Sequence, residues 1–455
     1  MNTRRRHLYQ SIGAVLAGVL VAPAVAIAQA VVGPGTVNST VTATSGTTTV
    51  VGNTTINTGN NDGVRANGGD LLLDMNSPLA TPGAISVLSN ALSLHATSGV
   101  ISAPRGINLR VSGRGQALYA DGGTVSVFAG NVTSAGIGKL AGGTAGLIQM
   151  ANMRYNDPAL SSGMQGNGIG IDGTARVELS GFNRLYIGRT GNSFGLGVQG
   201  AMAKAVLSGT NQFTFQQSGA MGVYLYGGGQ PEINSPLSLT FNGANSIGIT
   251  VDSGSNTQVL DGITANFTAT TGTAGTGLVA QRGGSASLRN FVVTGPRVGI
   301  GVWVAENSTV NLTGASRISI TSPTNAQRYA LTVGTSMAGV DAIFGTASGT
   351  SVRGGAVVAT GTLNSTGTLW SNPVAGSYGI YAGANSALAS LVNLTGDTIE
   401  TSGVGSVGIG TYGVAQVFVG DSTVRNSGGV DAIYMRNFGS PTQVTDNNEV
   451  HLTNT

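Results

Sequence analysis

One phrase recurs along this chain at a nearly constant spacing: a small residue, an apolar one, any residue, then an apolar or small one, with Gly, Asn or Ser soon after. It reads GIGIDGTARVEL from Gly168, GLGVQGAMAKAVL from Gly195, GVYLYGGG from Gly222, GITVDSGS from Gly248 and GLVAQRGGSASL from Gly277. It continues as GVWVAENSTVNL from Gly301, ALTVGTS from Ala330, GAVVATG from Gly355, GIYAGANSAL from Gly379, GIGTYGVAQVFV from Gly408 and AIYMRNFGS from Ala432, with weaker copies at Gly63, Ala91, Ala117 and Gly146. The fourteen gaps between these anchors span 22 to 29 residues and average about 26. A period in this range signifies a solenoid, propeller or array, and a propeller blade of roughly 40 to 50 residues is too long to fit. The segments are short, alternating and β-branched, so the unit is built of strands.

A strand-turn-strand coil of this length, stacked on its neighbours, is a parallel β-helix. One position after the anchor lie Leu118, Leu147, Ile169, Leu196, Val223, Ile249, Leu278, Val302, Leu331, Ile380, Ile409 and Ile433. Three positions after it lie Ile171, Val198, Leu225, Val251, Val304, Val333 and Val358. Residues i and i+2 of a strand share a face, so these form two inward columns. Further strands follow in phase, as at Val177/Leu179 and Leu185/Ile187. The anchor glycine marks either a corner with positive φ or a place where adjacent coils crowd out a Cβ. The fold class expected is therefore all-β, a single right-handed parallel β-helix of about 15 coils, roughly 70 Å long at about 4.8 Å per coil.

Residues 1–30 read as a signal peptide, with Arg4, Arg5 and Arg6 as the basic region, Ile12 to Ala22 apolar, and Ala28-Gln29-Ala30 as the cleavage site. General and twin-arginine export both fit. Cleavage removes three of the 21 basic residues and no acidic one, leaving 18 against 18. The pI near 9.3 thus belongs to the leader, and a neutral mature chain gives no support to nucleic-acid binding. With 74 Gly, no Cys, 9 % charged residues and a mean hydropathy of +0.18, stability must come from a long repetitive core and not from disulfides. Residues 31–60 read as a cap or first coils, 61–440 as the β-helix, and 441–455 as a polar tail.

Chemistry is sparse. Outside the leader only His95 and His451 remain, near opposite ends of the chain, and both read as surface or loop histidines. No metal site, cofactor site or His-based triad is expected from them. Asp121, Asp172 and Asp252 share a phase four after the anchor but belong to coils that are not neighbours, so the paired carboxylates of a glycosidase are not in evidence. The phase two after the anchor carries Tyr119, Tyr224, Trp303, Tyr381 and Tyr434, five of the twelve Tyr and Trp outside the leader. These should project outward as an aromatic row, a composition enriched in binding surfaces, although strands also favour aromatics on their own account.

The leader, the Gly-anchored coils and phrases such as GVWVAENSTVNLTG from Gly301 and GIYAGANSALASLVNLTG from Gly379 together resemble the passenger domain of pertactin-like autotransporters. The resemblance implies export, passage across the outer membrane with a C-terminal β-barrel translocator, and an adhesive or virulence-related surface. No catalytic residue carries over, and the barrel is expected on a continuation beyond Thr455. The function expected is that of an exported adhesin or host- or matrix-binding passenger at the cell surface, with a protein or glycan ligand. A secreted β-helical polysaccharide lyase or hydrolase, or a structural stalk, are the alternatives.

Overall fold

The computed structural model describes residues 30–76, 83–158, 165–189, 193–321, 354–384, 389–428, 431–436 and 448–455. Residues 1–29 of the expected leader, the phrase at Ala330 and residues 441–447 of the expected tail lie outside them. Among the described residues every regular element is a strand and every paired register is parallel. Phe194–Gln199, Lys204–Leu207 and Thr210–Phe215 follow one another in sequence, yet each pairs with its counterpart one winding on: Met221–Tyr226, Gln230–Ile233 and Leu237–Phe241. Each winding thus lends one strand to each of three faces, called first, second and third in that order, and the chain is a parallel β-helix.

On the first face the registers join Val41, Val64, Leu94, Leu118, Ala141, Ile169, Leu196, Val223, Ile249, Leu278, Val302, Ala356, Ile380, Ile409 and Ile433 into one column. From Val64 to Ile409 every member is fully buried, and each such aliphatic side chain withdrawn from water contributes about 1.5–3 kcal/mol, with alanine less. The column three after the anchor (Ile171, Val198, Leu225, Val251, Val304, Val358) is buried beside it. Val177/Leu179 on the second face and Leu185/Ile187 on the third close the interior. Within it Phe215, Phe241 and Phe267 stack nearly parallel across three windings, with centroids 4.6 and 4.8 Å apart, ring contacts that add to plain burial.

The anchor glycines resolve in favour of crowding. Gly222, Gly248, Gly277 and Gly301 are absent from the positive-φ residues. A Cβ on each would stand 2.4–2.5 Å from the carbonyl oxygen of the glycine one winding on. It would also strike a core side chain, such as Leu239 beneath Gly222 or Ile318 beneath Gly301. The residues before Gly222, Gly248 and Gly301 (Met221, Ile247, Ile300) and those two after Gly277 and Gly301 (Val279, Trp303) fall outside the core, in a separate apolar cluster.

Several sequence expectations need correction. The copy at Gly146 is out of phase: Ala141, not Leu147, stands between Leu118 and Ile169, while Leu147 is only half-buried and Gly146 takes a positive φ within the long strand Gly130–Ala151. The copy at Ala91 is displaced by two, since Leu94 is the residue opposite Val64 and Leu118. The expected winding at Ala330 falls outside the described residues, and the strands that flank it in sequence pair with each other. Val302 pairs directly with Ala356, Val310 with Leu363 and Ile318 with Trp370, so on all three faces the flanking windings are hydrogen-bonded neighbours with no strand between them. Near the other end of the expected tail, Asn448–Thr453 is a strand paired with Ala415–Gly420 on the second face, with Val450 opposite Val417.

The second face breaks once. Gln230–Ile233 pairs with Lys204–Leu207, but the ladder does not continue to Ser255–Asp261, which begins a separate seven-stranded sheet. Pro231 offers no N–H at this level. The Thr257 backbone N–H and hydroxyl instead donate to the Gln230 side-chain Oε1, at 3.1 and 2.9 Å.

One buried carboxylate fixes a corner of the upper windings. Asp397 accepts from the Thr368 N–H (2.9 Å) and from Trp370 Nε1 (3.1 Å), and its burial raises its pKa. The folded state therefore holds this proton more tightly than the unfolded chain, and the carboxylate's contribution to stability falls as pH rises from the ordinary value of 3.8 toward the raised one. Chemical denaturation of the parent and of Asp397→Asn across that interval should show a downward slope in the parent that the variant lacks.

Candidate functional site

The outward position two after the anchor forms a continuous register. Arg65, His95, Tyr119, Gly142, Gly170 and Gly197 lead to Tyr224, Thr250, Val279, Trp303, Val357, Tyr381, Gly410 and Tyr434. All five predicted aromatics lie on it, but three groups result. Glycines separate Tyr119 from Tyr224 and Tyr381 from Tyr434, while Trp303, Val357 and Tyr381 occupy successive strands.

Their environments differ, and the expectation of an exposed row fails in its centre. Trp303 is 1 % and Tyr381 8 % exposed, Tyr119 and Tyr224 are half-buried, and only Tyr434, at 39 %, is open to solvent. The reason is the second outward column, one before the anchor. Met221, Ile247 and Ile300 join Trp303, Val279, Val357 and Tyr381 in a buried apolar cluster distinct from the interior, with Phe194, Tyr224, Tyr378 and Tyr412 packed against it. The signal was legible as an apolar residue immediately preceding the anchor glycine. Aromatic rings also cover three of the four glycines of the row: a Cβ on Gly170 or Gly197 would meet the Phe194 ring, and one on Gly410 the Tyr378 ring. Trp303→Ala is accordingly a core truncation on the outer side of the sheet, expected to cost about 3–5 kcal/mol, as a melting or denaturant titration would show. Probing ligand contact calls for Tyr226 or Tyr434.

At the lower edge of this cluster sits its one buried ion pair among the described residues. Asp252 is fully buried and accepts from Arg282 Nε at 2.6 Å and from the Arg282 terminal nitrogen Nη2, with Gln281 Nε2 at 3.3 Å. The Arg282 backbone N–H donates to Glu306 (3.0 Å). The Tyr224 ring lies 6.3 Å from that of Tyr226, which is 38 % exposed. Burial, and after it the Asp252 charge, push the Tyr224 phenol up to about 12, so its hydroxyl stays protonated at any physiological pH.

Sequence reasoning missed a second cluster. His95 is neither in a loop nor on the surface: it is 8 % exposed in the strand Leu92–Ser98. Its Nδ1 lies 2.7 Å from Asp62 Oδ2 and its Nε2 3.4 Å from Asp121 Oδ1, with the Tyr119 ring edge-on at 5.4 Å. The two carboxylates come from the windings on either side, so the imidazole, hydrogen-bonded to Asp62 and beside Asp121, ties three windings together. The displaced phase at Ala91 hid this alignment. No group of three or more His, Cys, Asp or Glu among the described residues is arranged to hold a metal ion. His451, the other histidine outside the leader, is exposed on the strand Asn448–Thr453 with Nε2 3.0 Å from Glu449 Oε2.

The architecture defines the class: an all-β parallel β-helix. No protein-family model, curated protein or solved structure matches the chain.

Proposed function

We propose that this chain is an exported, surface-displayed β-helix of the autotransporter-passenger kind, acting as an adhesin toward a host or matrix protein or glycan, with a C-terminal β-barrel translocator as its export partner. The observation that carries the reading is the unbroken first-face column from Val41 to Ile433, a rod whose exposed side chains offer a long surface for recognition. Aromatics at the outer surface, Tyr226 and Tyr434 among them, supply large contact area at small entropic cost. The fold itself identifies no ligand, so the reading is tested on cells. The protein should be degraded by protease added to intact bacteria, and its deletion should lower adhesion to matrix-coated surfaces. Full protection from external protease, or adhesion unaffected by deletion, would overturn it.

A further inference from the structure

The second face above the break presents a different outer surface. On the strands Ser285–Arg289, Thr309–Thr313, Thr362–Thr366 and Ser390–Thr395, the central outward residues are Ser287, Asn311, Asn364 and Asn393, directly opposite one another. Asn393 Nδ2 donates to Asn364 Oδ1 at 2.7 Å, Asn364 Nδ2 to Asn311 Oδ1 at 2.7 Å, and Asn311 Nδ2 to Ser287 Oγ at 3.0 Å. A primary amide has two N–H donors and two acceptor sites. The ladder uses one N–H of each Asn, so every amide keeps a donor and an acceptor position for another partner, held in one rotamer.

The same column continues into rings. Phe418 follows Asn393 in register and His451 follows Phe418. The two rings stack at 4.6 Å with an 8° interplanar angle, and Phe418 is 38 % exposed. Outward threonines flank the ladder: Thr309 and Thr313 on one strand, Thr362 and Thr366 on the next. No charge lies on these two strands. Arg289 at one border is tied to Asp261 at 2.6 Å, and Glu449 at the other faces His451.

We propose that this face binds a neutral polysaccharide chain lying along the rod, an inference that names the ligand class of the adhesin reading above and rests on it for its biological setting. Fixed planar amides and hydroxyls at a regular rise of about 4.8 Å suit a polymer of hydroxyl groups, and an aromatic platform suits the apolar face of a sugar ring. Acidic glycans and nucleic acids are disfavoured, because they require clustered Lys or Arg. Ordering the ladder before binding lowers the entropy lost on association.

The test is retention of the full purified chain on cellulose and chitin particles, with heparin-agarose as an anionic comparison. The parent should be retained on at least one neutral matrix. Thr366→Lys, exposed and beside the ladder, and Asn364→Leu, within it, should each weaken retention about tenfold or more. Thr240→Lys on the third face should not, and the melting temperature of Thr366→Lys should match the parent's. No retention on either neutral matrix, retention only on heparin, or retention unchanged by both second-face variants would overturn the proposal. So would concentration-dependent self-association abolished by the same variants, because the face would then serve a second copy. Retention that survives while the protein proves not to be displayed on cells would sink the adhesin reading and leave this one standing.

Discussion

Gly248→Val is expected to destabilise the rod by about 4 kcal/mol or more, the range reserved for severe overpacking, and to leave little folded protein at physiological temperature. The added Cβ would lie 2.4 Å from the Gly277 carbonyl oxygen and 2.9 Å from the Ala265 Cβ. The first of these atoms belongs to the backbone of the next winding and cannot rotate aside. Gly219→Ala is the instructive contrast. Gly219 has a φ of +75° with nothing within 4 Å of the position a Cβ would take, so its substitution strains only its own backbone, at about 1 kcal/mol. Urea titrations of the two variants separate crowding from conformational freedom. Equal losses at the two positions would show that the anchor glycines are not there to let adjacent windings approach.

Arg282→Met should cost about 3–5 kcal/mol, because it strands a buried carboxylate without its cation. Asp252 would keep only neutral donors, including Gln281 Nε2 at 3.3 Å. Removing both charges, as Asp252→Leu with Arg282→Met, should recover most of the loss, since the penalty arises from the unpaired ion and not from the absence of the pair. A denaturant-melt cycle on the two single variants and the double one measures the coupling directly. A double variant no more stable than Arg282→Met alone would show that the pair stabilises by geometry and not through its charge.

The period, the three-strand winding and the inward aliphatic columns were legible because stacking repeats the same demand at the same phase. Ile169, Val223, Ile249 and Val302 all advertise it, and all are buried in register. What was illegible depended on register, which a local phrase does not encode. Leu331 and Val333 alternate like any inward pair, yet Val302 already has Ala356 beside it. Leu147 sits in a good imitation of the repeat, while the winding is carried by Leu140 and Ala141, fully buried beside a lysine and two glycines. The aromatic row was read correctly as a line of positions but not in its exposure. Burial of Trp303 depends on Ile300 and on residues of other windings, and an outer column is judged only once both outward phases are known. The His95 cluster was hidden for the same reason, since Asp62, His95 and Asp121 meet only when three windings are in register.

The interruption at Pro231 bears on how such a rod yields. In a stacked array each level holds its neighbours mainly through nearest-neighbour bonding. At this one level two sheets bridge the gap where elsewhere there are three. Tension along the axis, or unravelling that creeps inward from a terminus, therefore meets a mechanical fuse near the midpoint. The segments on either side can rupture as separate cooperative blocks, leaving one intact after the other has come apart.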